Sequence, residues 1–196
     1  MSVIKTERLI LRPFTDNDAE EMFKNWTWDE RVARYCRWHP HGSVQETKEL
    51  LKMYKNQAEK GFDFRWGIEL KSNGELIGII DVVDLSEDKK TAEIGYNLAY
   101  DYWNNGYATE ALGGVINNLF NNGVNRIIAK HHIDNPASGK VMEKCGMRFT
   151  GLSKTQAKFG SDEECDVKCY ELKFNCKGEK NECCDCRKFQ KAKAYR

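Results

Sequence analysis

One twenty-residue stretch limits the fold more than any other: Asp101 to Phe120, D-Y-W-N-N-G-Y-A-T-E-A-L-G-G-V-I-N-N-L-F. Ala108, Ala111, Leu112, Val115, Ile116 and Leu119 fall at i, i+3, i+4, i+7, i+8 and i+11, which is one apolar face of an α-helix. Asn104-Asn105-Gly106 ahead of them is a turn sequence, and Gly106 accepts backbone angles that other residues resist. Unpaired N–H groups at such a helix start, together with the positive end of the helix dipole, suit an anion such as a pyrophosphate. The same residues also read as an ordinary glycine loop into a core helix, so the flanking segments decide between the two.

Upstream, Thr6 to Phe14 reads as an apolar strand closed by a proline, and T-D-N-D then caps a helix carrying Ala19, Met22, Phe23 and Trp26. Residues 26–42 hold three tryptophans and two histidines with poor periodicity. Such a segment either lines a pocket or covers a core edge. Trp38, His39 and His41 are its candidate substrate contacts. Ser43-Val44-Gln45-Glu46 has the form of a capping box before a second helix that ends at Gly61. Phe62, Phe64, Trp66, Ile68 and Leu70 then alternate as a strand, Ser72-Asn73-Gly74 turns the chain, Leu76 to Val83 returns, and Ala92, Ile94, Tyr96 and Leu98 alternate again.

Beyond the central helix, Arg126 to Ala129 predicts a short strand. Asn135-Pro136 opens a helix that Gly146 ends, and Met147–Leu152 and Cys165–Phe174 predict two last strands around a loop at Phe159-Gly160-Ser161. The order is β-α-α-β-β-β-α-β-α-β-β: an antiparallel meander followed by β-α-β crossovers, hence an α/β fold with a mixed sheet covered by helices.

The 196 residues fit one such domain. Thirty-one basic against 30 acidic residues give no global case for nucleic acid or an anionic membrane. No apolar leader or membrane-length run is present, which predicts a cytoplasmic protein. Six of the eight cysteines crowd between Cys165 and Cys186, unlike a disulfide scaffold that spreads its bridges through a fold.

E-I-G-Y at 93–96, W-N-N-G-Y-A-T-E-A at 103–111, N-P-A-S at 135–138 and E-K-C-G-M at 143–147, in this order of elements, resemble the GNAT superfamily of acetyl-CoA-dependent N-acetyltransferases. T-E-R-L-I-L-R-P at 6–13 with N-G-Y-A-T-E-A resembles its RimJ/RimL branch, which acetylates N-terminal amines of ribosomal proteins. The resemblance covers residues 3–174. It implies acetyl-CoA as cofactor and a pyrophosphate loop formed by Trp103, Asn104, Asn105, Gly106, Tyr107, Ala108 and Thr109. Trp103 stands where the family pattern has Arg or Gln, so phosphate binding would lean on backbone N–H groups and the helix dipole.

At neutral pH most of an α-amine, with a pKa of about 8, or of a lysine-like amine at about 10.4, is protonated, so transfer from a thioester needs a proton acceptor. The resemblance implies Glu93 as that base. Asp81 and Asp84, which follow an apolar run on the neighbouring strand, are alternative bases or amine-orienting groups, and Tyr96 joins the candidate substrate contacts. A backbone N–H near Leu98 would polarise the thioester carbonyl. Many family members donate a proton to the thiolate from a tyrosine four residues before the helix-ending glycine; Met142 occupies that position here. Ser138 is the implied substitute and Asn135 the implied pantetheine contact, though both also read as ordinary helix-start residues. A catalytic role for His131 or His132 is the weaker reading.

Residues 175–196 lie beyond the resemblance and read as a solvated, Cys-rich basic tail. Cys176, Cys183, Cys184 and Cys186 could supply a zinc with four thiolates, but C-x6-C-C-x-C lacks the usual C-x2-C pairs, and reduced thiols are the expectation. The expected acceptor is a protein N-terminal α-amine. A small amine such as an antibiotic or polyamine is the alternative, and a catalytically weak acyl-CoA-binding module is a third. No membrane partner is expected, nor nucleic acid beyond indirect ribosome contact, and the chain could be a monomer or homodimer.

Overall fold

A computed structural model of the chain describes residues 2–62 and 64–174. The tail and its four cysteines, Cys176, Cys183, Cys184 and Cys186, lie outside these residues. Within them, eight strands form one mixed sheet in the order β1-β2-β3-β4-β5-β6-β8-β7. The strands are β1 (Ile4–Lys5), β2 (Leu9–Arg12), β3 (Arg65–Leu70), β4 (Leu76–Leu85), β5 (Thr91–Leu98), β6 (Arg126–His132), β7 (Arg148–Gln156) and β8 (Glu164–Lys173). Only β5 and β6 run parallel; the other six pairings are antiparallel. The helices are α1 (Ala19–Met22), α2 (Glu30–Ala33), α3 (Val44–Glu59), α4 (Tyr107–Asn121) and α5 (Pro136–Lys144).

Each face of the sheet carries its own core. Ile80, Val82, Ala92, Ile94 and Leu98 pack against the apolar side of α4, including Leu112, Val115 and Ile116, and against Met142 and Cys145 of the α5 region. On the other face Met22, Trp26, Val32 and Leu51 pack with Leu76 and Ala99 beneath α1–α3. Period-two alternation along β4 and β5 is what sends successive side chains to these two cores.

Three local readings differ from the sequence expectation. The first strand is broken at Thr6: Thr6 Oγ1 donates to Glu110 Oε1 at 2.6 Å, and the chain turns from β1 into β2 there. Residues 26–42 contain helix α2, N-capped by the Asp29 carboxylate through the Arg31 N–H at 2.9 Å. The α3 start does not close the capping box. Glu46 Oε2 accepts from the Gly42 N–H at 3.1 Å, while Ser43 makes no side-chain cap bond among the described residues.

Candidate active site

The feature that organises the site is a parting of two strands. The parallel β5–β6 ladder runs from Thr91↔Arg126 to Ile94↔Ala129 and ends, although β5 continues to Leu98 and β6 to His132. Each strand stays paired on its outer side, Leu98 with Gly78 of β4 and His132 with Val167 of β8, so the sheet opens like a wedge between them. Ala99 N–H bonds back to Ile77 O at 2.8 Å. By alternation the N–H groups of Leu98 and Tyr96 point the other way, into the opening. Gly78 is required beside this wedge: a Cβ there would stand 2.3 Å from Asn97 O.

At the wide end of the wedge the chain enters α4 through the stretch Trp103–Thr109. Trp103 is an anchor: its indole N–H donates to Leu98 O at 2.8 Å, tying the loop to the end of β5. Asn104 (φ 63°) and Gly106 (φ 80°) are both left-handed, which turns the backbone so that Gly106 becomes the helix N-cap. The first helix amide bonded to a backbone acceptor is that of Glu110, on Gly106 O at 3.0 Å. No side chain caps the turn among the described residues, so the amides of Tyr107, Ala108 and Thr109 are left free to meet an anion. From 97 residues upstream, Arg8 supplies a guanidinium to the same loop. Its Nε meets Glu110 Oε2 at 2.7 Å, its Nη1 meets Asn105 O at 3.0 Å, and its Cζ lies 4.5 Å over the Tyr107 ring. A cation beside this loop is what Trp103 could not provide.

On the α4–α5 face, Tyr96 spans the wedge. Its hydroxyl donates to Ser138 O at 3.0 Å and lies 2.9 Å from Ser138 Oγ. Burial pushes the Tyr96 phenol well above its usual range, so it keeps its proton. Asn135 holds the start of α5, its Oδ1 accepting from the Ser138 N–H at 3.3 Å. Met142 is fully buried in the core and carries no polar group to the opening. His131 also faces inward; its Nδ1 bonds His132 O at 2.8 Å, and burial lowers its pKa. His132 faces the other side, 5.3 Å from the Tyr35 ring.

The opposite face carries the carboxylates. Glu93 Oε2 is ion-paired with Lys130 Nζ at 2.7 Å, one residue before the ladder ends. Asp84 is exposed and sits at a bulge opposite Glu93, away from the opening. Asp81 is the carboxylate at the wedge: it is cross-strand from Gly95, the first β5 residue beyond the ladder, and its Oδ1 is 3.3 Å from where a Gly95 Cβ would be. Burial outweighs the attraction of Arg65 and pushes Asp81 up to about 6. The Arg65 Nε–Asp81 Oδ2 contact, at 3.4 Å, is an ion pair without hydrogen-bond geometry, and Arg65 Nε has no hydrogen-bond partner among the described residues. Asn97, on the same face, has a buried Oδ1 likewise without a partner there.

The described chain matches the family profile of the acetyltransferase (GNAT) domain over residues 8–148. The chain belongs to the GNAT acetyltransferases. It is 34% identical over 151 residues to the uncharacterized N-acetyltransferase YoaA of Bacillus subtilis (strain 168), covering 76% of this chain and 85% of that protein. The ribosomal-protein-serine acetyltransferase of Escherichia coli (strain K12) is 28% identical over 170 residues, covering 84% of this chain and 92% of that protein. Among solved structures, Mycobacterium smegmatis RimJ in complex with CoA-disulfide superposes with a TM-score of 0.75 at 19% identity, covering 88% of this chain and 87% of that one. The chain is thus a GNAT N-acetyltransferase that uses acetyl-CoA.

The residues present fit that donor. Free amides at the α4 start suit a pyrophosphate, and the inward N–H groups of Tyr96 and Leu98 suit a carbonyl lying in the wedge. As a GNAT enzyme it also shows what sequence reasoning missed. Lys158 Nζ, on the β7–β8 turn, donates to the carbonyls of Ala33, Cys36 and Trp38 at 2.8, 2.7 and 3.1 Å, and Phe159 N–H donates to Arg37 O at 2.7 Å. That turn therefore fixes the aromatic segment. Of its candidate contacts, Trp38 packs against the second core, His41 bonds Thr47 Oγ1 at 2.8 Å, and His39 is exposed. The pairing of Lys158 with this loop crosses more than a hundred residues and leaves no local signal.

Proposed function

We propose that this enzyme acetylates the α-amine of a protein N-terminus, by direct transfer while both substrates are bound. The single observation carrying this reading is the under-bonded Asp81 carboxylate at the mouth of the strand opening, with its pKa pushed up to about 6. Moving a proton from an α-amine (about 7.8) to such a base costs roughly 2 kcal/mol, against roughly 6 kcal/mol from a lysine-like amine (about 10.4). The likeness to a ribosomal-protein-serine acetyltransferase supports the same class of acceptor.

Bound acetyl-CoA supplies the activated acetyl thioester. Asp81 receives the amine proton, and Glu93, neutralised by Lys130, shapes the wall beside it. The Leu98 N–H, directed into the opening, would donate to the thioester carbonyl oxygen as it gains charge. A thiol has an ordinary pKa of about 8.5, well below the buried Tyr96 phenol, so proton transfer from Tyr96 to the departing thiolate runs uphill. Tyr96 and Ser138 therefore act through hydrogen bonds: Ser138 Oγ–H turns to the sulfur while Tyr96 Oη–H stays on Ser138 O and holds that residue in place. Coenzyme A thiol release, followed with acetyl-CoA and short peptides bearing a free or a blocked N-terminus, tests the proposal. Release with free peptides alone supports it; equal release with blocked peptides that retain an internal lysine refutes it.

A further inference from the structure

We propose that the acceptor is a primary amine carrying a bulky apolar group close to its nitrogen, and that the cavity between α3 and the entry to β3 receives that group. This deepens the acetyl transfer proposed above and rests on it. The cavity measures about 330 Å³ and is walled by Phe14, Leu51, Tyr54, Ala58, Phe62 and Phe64. Its volume lies at the small end of ligand sites, about 300–1,000 Å³, and fits one aromatic or branched aliphatic group. Its charged lining groups are paired: Lys55 with Asp16 at 3.5 Å, and Arg65, which forms the floor, with Asp81 at 3.4 Å. A polyamine would find no row of carboxylates here.

What links the cavity to the chemistry is the row of residues across the sheet. Arg65 of β3 is directly opposite Asp81 of β4, which is directly opposite Gly95 of β5 at the start of the strand opening. Neighbouring strands are about 4.8 Å apart, so the cavity floor and the opening each lie about one strand from Asp81. An ammonium held by Asp81 is therefore beside the opening, while a substituent on the adjoining carbon runs back over Arg65 into the cavity. The guanidinium ties this row to the cavity's aromatic walls, its Cζ lying 4.3 Å over the Tyr54 ring and 5.2 Å from the Phe62 ring. Two buried polar atoms without partners among the described residues flank the route. Asn97 Oδ1 adds a second acceptor for the three N–H donors of an ammonium, and Arg65 Nε is a donor for the first carbonyl of a peptide. A serine or alanine at the amine would leave the apolar walls unfilled.

This chemistry has two sources, a peptide whose first residue is large and apolar or a small arylalkylamine, and one experiment separates them. kcat/KM is measured for peptides identical except for a first residue of Ser, Ala, Leu or Phe, and for phenethylamine beside ethylamine. A single extra methylene in an apolar pocket is worth about 10- to 200-fold, so Leu and Phe peptides are expected at least ~10-fold above Ser. Phenethylamine matching the Phe peptide identifies the small-molecule source and overturns the protein N-terminus as acceptor while leaving the cavity's role in place; phenethylamine far below it identifies the peptide. Filling the cavity with Ala58→Trp brings the Phe-over-Ser ratio to about 1, and the smaller Ala58→Leu gives an intermediate ratio, with thermal transitions reporting that each variant is folded. Ser or Ala peptides equal to or better than Phe, or a ratio that survives both substitutions, overturns the inference while leaving acetyl transfer intact. Failure of every amine to release thiol overturns the parent proposal and this one with it.

Discussion

Replacing Asp81 with Asn should make the protein more stable and nearly inactive. Asp81 has its pKa raised from 3.8 to about 6 in the fold, chiefly by burial and against the pull of Arg65. That rise corresponds to about 3 kcal/mol by which the folded state prefers the neutral carboxyl. The folded pKa lies above the unfolded one, so this stability is fully present below about pH 4 and is lost as pH rises through about 6. Asparagine keeps the neutral form at every pH. At pH 8 Asp81→Asn should therefore melt roughly 6–12 °C above wild type, at about 2–4 °C per kcal/mol for a chain of this size, and the gap should close near pH 4. Arg65 does not reverse the sign, because its attraction for the carboxylate is already included in the net shift. The same substitution removes the proton acceptor, and kcat/KM should fall about 10²- to 10⁴-fold. Melting curves at pH 4 and 8, read beside initial rates, check both halves. Wild-type activity in the variant refutes the role assigned to the carboxylate. A lower melting temperature at pH 8 refutes the account of its burial.

Ser138→Ala should lower kcat ~10- to 100-fold with little change in either KM, the weight of one hydrogen bond to a developing charge; Tyr96→Phe should add little to it in a double-mutant cycle. Gly106→Ala forces a left-handed angle of φ 80° on a residue with a Cβ, costing about 1–2 kcal/mol, and should raise the KM for acetyl-CoA more than that for the acceptor. Lys158→Ala removes the ammonium from three loop carbonyls and should raise the acceptor KM while leaving the acetyl-CoA KM in place, as steady-state kinetics in both substrates would show.

The helix and loop at Asp101–Phe120 were legible because both signals are local: an apolar period of 3.6 along Ala108–Leu119, and a glycine where the backbone turns left-handed. The meander and crossovers were legible for the same reason, through alternation and turn residues. The strand opening was not, since it arises where β4 and β8 hold β5 and β6 on their outer sides, and no residue in either strand announces it. Choosing among carboxylates failed to be a local problem too. Glu93 and Asp81 alternate onto one side of the sheet, a bulge after Val82 sets Asp84 opposite Glu93, and what separates the three is the company they keep: Lys130 beside Glu93, solvent around Asp84, and burial with a loose arginine contact for Asp81. Arg8 carries no local signal within T-E-R-L-I-L-R-P, and its place at the Trp103–Thr109 loop comes from bonds to Asn105 and Glu110.

Tandem mass spectrometry of a peptide carrying both a free α-amine and an internal lysine, after incubation with acetyl-CoA and the enzyme, tests the central claim most directly. One acetyl group on the α-amine, formed at a rate that rises with pH through about 6, is the predicted product. Acetylation confined to the lysine side chain, or no acetylation at all, would contradict it.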